Sequence, residues 1–245
     1  MNNMKFSIIT CNRNNESYLQ RHIESVSNQN FIDYEHIIID DASTDRSVDI
    51  IKTNVDRTKT KVFVRKERSY ALKNHILGLK KASGDIIVHL DGDDWFYDSD
   101  VLRYVAEIYE KENCLATYGS WVDSSNPKNI QTYKHPTHKS SDVRKTKHWY
   151  FTHLRTFKRE LASTINGMDL FDDEGLPNDI GADAALLTSI YEYALHMGKV
   201  VYIDKPLMYY NSSTGNNDCV VNLQKQLKTA NSILNSKYTM CNLWK

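Results

Sequence analysis

An α/β fold with a mostly parallel, doubly wound sheet is predicted by three observations on this sequence. Strand-like and helix-like segments alternate four times between Phe6 and Glu112, the pattern that a parallel sheet with crossover helices requires. The apolar run 86–90 is short, β-branched and bounded by Gly84 and Gly92, as a strand buried in a sheet should be. Three of the runs end abruptly in polar or acidic residues: Cys11-Asn12-Arg13, Asp40-Asp41 and Asp91-Gly92-Asp93-Asp94. In a parallel sheet such ends share one rim, and ligands bind there.

Residues 6–10 read as the first strand, followed by a polar loop whose Asn14 and Asn15 suit a helix cap. Leu19, Ile23 and Val26 recur at helical spacing, and Asn28-Gln29-Asn30 closes that helix. The second strand, 34–39, repeats the first pattern. Ser43 or Thr44 is expected to cap the next helix, with Val48, Ile51 and Val55 on one face. A strand at 62–64 leads to a helix over 70–82 carrying Leu72, Ile76 and Leu79. After the acidic strand, a helix over 99–112 carries Val101, Val105 and Ile108.

From 123 to 147 the pattern gives way to a basic, histidine-rich stretch with Lys134, His135, His138, Lys139, Arg144, Lys145 and Lys147. It reads as a surface loop or as a lid over an anionic ligand. Order returns at 148–157, before an acidic loop over 169–179. Ile180-Gly181-Ala182-Asp183 opens a helix with Leu187, Ile190 and Ala194 facing inward. A strand at 200–203 and the segment 206–211 follow. The tail repeats Leu223, Leu227, Ala230 and Leu234, an amphipathic helix expected to pack on the domain or on a second subunit as a homodimer.

The chain of 245 residues, 40% apolar, suffices for one well-buried core. Its 31 basic and 31 acidic residues cancel, which argues against nucleic acid as a partner. The four cysteines are scattered, with neither zinc-knuckle spacing nor a disulfide framework, and fit a reducing compartment. No stretch approaches the roughly 18–20 apolar residues of a membrane span. The start Met1-Asn2-Asn3-Met4-Lys5 lacks a signal-peptide core, so a cytoplasmic protein is expected.

Chemistry is concentrated in Asp91-Gly92-Asp93-Asp94. Three carboxylates within four residues repel one another, and a glycine among them permits a tight turn that aims two at one point. An oxygen-only site of this kind suits Mn²⁺ or Mg²⁺, with water or a diphosphate completing the shell. The other reading of the same residues is a solvated acidic turn.

Together, SIITCNRN (7–14) with YLQRHIESVSNQ (18–29), HIIIDDASTDRS (36–47) and GLKKASGDIIVHLDGDDW (78–95) resemble the nucleotide-sugar-binding half of family 2 glycosyltransferases of the GT-A fold, a Rossmann-like architecture. HLRTFK (153–158), Asp183, and YYN (209–211) followed by NND (216–218) resemble the second half of a subset of that family. The resemblance implies a nucleotide-sugar-binding half over 1–122, an acceptor and catalytic half over 123–218, and a C-terminal helix within 219–245.

It further implies an inverting transferase using a nucleoside-diphosphate sugar, with UDP expected and thymine offering the same base edge. The acceptor hydroxyl would belong to a glycan, a lipid-linked glycan or a protein. Thr10, Cys11, Arg13, Asp40, Asp41, Lys73, Asn74, Asp91 and Gly92 would line the nucleotide. Asp41 would accept the N3–H of the base, and it equally suits the start of the following helix. Asp91 and Asp93 would hold the metal, and Asp183 at a helix N-terminus would be the general base. His153 and Arg155 would contact diphosphate or acceptor, or His153 would be a buried, hydrogen-bonded residue.

Arg13 stands where the family has a tyrosine, and could pair with a phosphate instead. Ala182 replaces a common glutamate, and Lys73-Asn74 is shifted by two from the family's Arg-Asn pair. A sugar-nucleotide pyrophosphorylase would need a glycine-rich loop after the first strand, and residues 11–15 contain no glycine. A binding module that has lost turnover is the non-enzymatic alternative.

Overall fold

Ile8 and Ile9 are adjacent, fully buried and packed into different cores, so both faces of the first strand are covered. The computed structural model describes residues 4–134, 143–146, 149–172, 174–214 and 223–236. Within it, β1 (Phe6–Asn12), β2 (Tyr34–Asp40), β3 (Thr60–Val64) and β4 (Ile86–His89) form a parallel block in the order β3-β2-β1-β4. Helices α1 (Leu19–Ser27), α2 (Ser47–Asn54) and α3 (Tyr70–Lys81) connect its strands. The predicted apolar faces are the buried ones, with Leu19, Ile23, Val26, Ile51, Leu72 and Leu79 all at 2% exposure or less.

The sheet continues through β5 (Trp95–Phe96), α4 (Val101–Glu112), β6 (Ala116–Asp123), β7 (Ile130–Gln131), β8 (Arg155–Lys158), α5 (Ala182–His196) and β9 (Val200–Tyr210). Beyond β4 the order is β8-β6-β9-β5, with β7 paired to β6. β8 is antiparallel to both β4 and β6, while β6 and β9 run parallel. The sheet is thus mostly parallel with antiparallel insertions. The predicted strand at 200–203 and the segment at 206–211 form one strand, because register shifts around Ser120 let Pro206 sit in the ladder without an N–H.

Two expected caps are corrected. Ser43 turns back to Asp40, and it is the Asp45 carboxylate that accepts the Ser47 N–H at the start of α2. No side chain caps α1: Asn14 Oδ1 accepts from Thr44 N–H, and it is the Asn15 backbone C=O that accepts the Tyr18 and Leu19 N–H groups, while its own N–H donates to Ser47 Oγ.

The C-terminal helix α6 (Leu223–Asn235) packs on α5 of its own domain. Its inward face is Thr229, Ile233 and Leu234, leaving Leu223 and Leu227 about half exposed, so the predicted stripe is rotated. Arg144 ties the end of this helix to the domain. Its guanidinium makes two bonds to Asp169, at 3.1 and 2.8 Å, one to Glu192 at 2.9 Å, and donates to the Ile233 C=O at 2.6 Å and Ser236 Oγ at 2.7 Å. Arg144, expected on a surface loop or lid, is instead a buried clamp. His135, His138, Lys139, Lys147, Asn216, Asp218, Cys219 and Cys241 lie outside the described residues.

The Asp169 side chain is fully buried, so removing its cation strands a charge in the interior. Arg144→Met is expected to lower the unfolding free energy by about 3–5 kcal/mol, read from urea denaturation. A change below about 0.5 kcal/mol, the scale of an ordinary surface substitution, would show that the clamp is not structural.

Candidate active site

The rim at the carboxyl ends of β1, β2 and β4 is tied by backbone hydrogen bonds. Asp41 N–H donates to the Asn12 C=O at 2.8 Å, and Gly92 N–H donates to the Cys11 C=O at 3.1 Å. A Cβ at position 92 would lie 2.6 Å from Asn12 Oδ1, so Gly92 is needed for close approach. Its φ is not in the left-handed region, which corrects the expectation that turn conformation requires the glycine.

The acidic loop is also held from beneath. Thr10 Oγ1 donates to the Leu90 C=O at 2.9 Å, and His22 Nδ1 donates to the Asp94 C=O at 2.7 Å. His22 Nε2 then accepts, and His36 Nε2 lies 3.3 Å from it and 3.0 Å from Thr10 Oγ1. From the far side, Asn211 N–H donates to Asp94 Oδ1 at 2.8 Å, and Thr214 Oγ1 lies 3.4 Å from Asp93 Oδ2. Asp94 is therefore a buried anchor. Asp93 is raised to about 7 by burial and then by the neighbouring charge of Asp91.

The nucleotide-side residues divide by burial. Thr10 and Asp40 are fully buried, and Asp40 accepts from Asn12 Nδ2 at 2.8 Å and from Ser43 N–H and Oγ at 2.9 and 2.6 Å. Both side chains are spent on the loops after β1, β2 and β4. Arg13 Nη1 donates to the Asp41 and Ala42 carbonyls, so this end of its guanidinium braces the β2 loop. Asp41 accepts from Ser69 N–H at 2.6 Å and Tyr70 N–H at 3.0 Å, at the N-terminus of α3.

Cys11 lies between carboxylates: burial, then the charges of Asp91 and Asp41, push its thiol well up, keeping it a neutral wall. Asn74 is buried and accepts from Arg65 Nε at 3.0 Å, whereas Lys73 is exposed.

The second half enters through strand register. His89 pairs with Arg155 across β4 and β8, setting Arg155 beside the strand that ends in Asp91. Arg155 Nη2 lies 2.9 Å from Asp183 Oδ2 at the start of α5 and 3.0 Å from His153 Nε2. His75 stacks on His89 with ring centroids 4.6 Å apart and lies 3.9 Å from Asp91 Oδ1. Burial lowers the His75 pKa, and the charges of Asp91 and Asp183 work against that shift while Arg155 adds to it.

The sequence reading missed His22, His36, His75, His89, Asn12 and Asn211. The first four occupy helix and strand positions on buried faces, where a polar residue was the available signal.

Residues 7–176, well over half of the chain, match the family described as "Glycosyl transferase family 2". The chain belongs to that family. An uncharacterized glycosyltransferase of Haemophilus influenzae is 36% identical over 123 residues, 50% of this chain and 49% of that protein. The solved structure of Staphylococcus aureus TarS 1-349 in complex with UDP-GlcNAc superposes with TM-score 0.65 at 19% identity, covering 87% of this chain and 60% of that one. Mannosyltransferase PcManGT of Pyrobaculum calidifontis in complex with GDP-Man and Mn²⁺ gives 0.64 at 16% identity, covering 96% and 66%. These likenesses show the GT-A glycosyltransferase fold. The chain spans about half the length of the first curated relative and 35% of the second. Among the described residues, no helix is long and apolar enough to cross a membrane.

The family member carries five histidines held neutral by burial. His22 is lowered to about 4 from the ordinary 6.5, and His36, His75, His89 and His153 are lowered as well. Unfolding lets each protonate at its ordinary value, so their contribution is complete above about pH 6.5 and is lost as pH falls towards 4. Asp93 and Asp94, both raised by burial, act in the opposite sense but are fewer. Urea midpoints are expected to fall between pH 7 and 5, with His22→Gln flattening the profile by about 1.4 kcal/mol per pH unit. A midpoint that rises or holds constant would contradict neutral burial.

Proposed function

We propose that this chain is an inverting, metal-assisted glycosyltransferase that takes a UDP-sugar as donor and uses Asp183 as general base. The observation that carries the reading is the placement of Asp183 against Arg155, whose register with His89 brings the start of α5 to the strand ending in the acidic loop. A base and a donor loop on two sides of one point is the arrangement that single displacement needs.

Asp91 and Asp93 fit a hard divalent cation by their donor chemistry: both are carboxylates, and the charge of Asp91 already raises Asp93. Among the described residues no group of three or more His, Cys, Asp or Glu is set to hold a metal. Two carboxylates with water and diphosphate oxygens would complete the shell. When bound, Mn²⁺ or Mg²⁺ supplies charge neutralisation of the departing nucleoside diphosphate.

The acceptor hydroxyl attacks the anomeric carbon from the face opposite the diphosphate. As the new C–O bond forms, the bond to the phosphate oxygen breaks, and Asp183 takes the hydroxyl proton. Inversion follows from one displacement. Asp41 keeps free lone pairs beyond the two bonds it accepts at α3, so it can receive the N3–H of uracil while remaining a cap. The UDP-GlcNAc-bound neighbour supports a uridine donor, and the Mn²⁺ and GDP-Man of the other support metal use without fixing the base.

Calorimetry of UDP, GDP, dTDP and CDP with Mn²⁺ and with EDTA tests the donor site. UDP is expected to bind only with metal and to lose that binding in Asp93→Asn. Asp183→Asn should retain UDP affinity while turnover of the UDP-sugar falls by about 10²–10⁴-fold. Absence of binding by every nucleotide in Mn²⁺ would sink the donor reading, and undiminished turnover in Asp183→Asn would remove the base.

A further inference from the structure

The motif His153-Leu154-Arg155 comes from a different part of the chain than either the acidic loop or Asp183, yet it contacts Asp183 directly and reaches the loop through Tyr210 and Asn211. Arg155 is 5% exposed, so its guanidinium is placed by partners and not by solvent. Its Nε–H donates to the Phe151 C=O at 2.9 Å, and its Nη2 donates to His153 Nε2 at 3.0 Å. An arginine only donates, so His153 accepts at Nε2 and carries its proton on Nδ1. The remaining contact of Nη2 is Asp183 Oδ2, at 2.9 Å.

Asp183 is fixed from two sides. Oδ1 accepts the Ala184 N–H at 2.8 Å at the start of α5, and Oδ2 receives Arg155. With both oxygens bonded, rotation of the carboxylate is blocked, and each oxygen still has a lone pair for an incoming proton. The far end of the chain of contacts reaches the donor loop: His153 lies against Tyr210 with ring centroids 5.2 Å apart, and the next residue, Asn211, donates its N–H to Asp94.

We propose that Arg155, steadied by His153, is a positioning residue that sets the orientation of the Asp183 carboxylate. This rests on Asp183 being the base. It gives Arg155 a role other than the expected diphosphate contact, since its Nε and Nη2 donors are directed to the Phe151 C=O, His153 and Asp183. A lysine offers one point charge without the planar fork, and so cannot be anchored at the Phe151 C=O while it serves His153 and Asp183.

The experiment measures nucleotide affinity and turnover separately in Arg155→Lys, His153→Gln, His153→Phe, Asp183→Asn and the Arg155→Lys/Asp183→Asn pair, with thermal unfolding as the folding control. Probes are UDP for affinity and UDP release from a UDP-sugar for turnover. Arg155→Lys is expected to keep UDP affinity within about twofold while kcat falls by about 10²-fold, the scale of a misplaced catalytic group. His153→Gln, whose amide oxygen can accept from Arg155, should retain most of the turnover that His153→Phe loses. The double variant should be no slower than Asp183→Asn alone, because residues acting as one unit are non-additive.

Weakened UDP affinity with unchanged kcat would make Arg155 a donor ligand and overturn the proposal. Additive losses in the double variant would do the same. Retained turnover in Asp183→Asn is a distinct outcome: it removes the base and with it the residue that Arg155 is said to position. If Arg155→Lys fails to fold, the pair His153→Gln and His153→Phe decides, with equal turnover in the two counting against the proposal.

Discussion

Three carboxylates in four residues at the end of a buried strand repel one another, and the loop that carries them needs ties beyond its acidic side chains. In this molecule most of those ties are made to its backbone. Thr10 takes the Leu90 carbonyl, His22 takes the Asp94 carbonyl, and the Gly92 N–H goes to Cys11. The groups that do this come from β1 and α1, with His36 of β2 behind them, so the first two strand-helix units exist in part to carry the loop after β4. Asp94 joins from the other direction, binding the loop to the end of β9. The distance in sequence between these partners explains why a local acidic motif requires the whole sheet.

The same constraint sorts the residues that a motif comparison treats alike. Asp40 and Asp41 are neighbours in one acidic pair, yet Asp40 is sealed among Asn12 and Ser43 whereas Asp41 reaches the start of α3. Arg13 finds the carbonyl oxygens of Asp41 and Ala42, because the end of β2 presents two of them within reach. A motif fixes where the chain turns. The partners at hand decide what each side chain holds.

The first half of the fold was legible because its helices show period and its strands are β-branched runs that end in charge. The second half was less so for physical reasons. β6, Ala116–Asp123, is buried on both faces for most of its length and mixes Thr, Tyr, Gly and Ser with its apolar residues, so neither alternation nor a continuous apolar run marks it. β9 contains a proline, which reads as a break unless the register shift beside it is known. Arg144 sat in a basic run that looked solvated, and its partners Asp169, Glu192 and Ser236 lie 25, 48 and 92 residues away. At the site, Asp91, Asp93 and Asp183 were legible as acids at strand and helix ends. The histidines beneath them were not, because a His on an apolar face carries no mark of what it bonds to.

Their neutrality matters to the chemistry. A lysine or arginine under the acidic loop would hold the same carbonyls, but it would add a fixed cation beside Asp91 and Asp93 and oppose the approach of a divalent metal. Histidines kept uncharged by burial supply the hydrogen bonds without the field. Arg155, which does bring a cation to this region, is paired with the carboxylate of Asp183. Burial and the charge of Asp91 raise Asp93 to about 7, and burial raises Asp94 as well, so these carboxyls resist ionising together. A cation placed against them would favour the ionised forms that burial and mutual repulsion oppose.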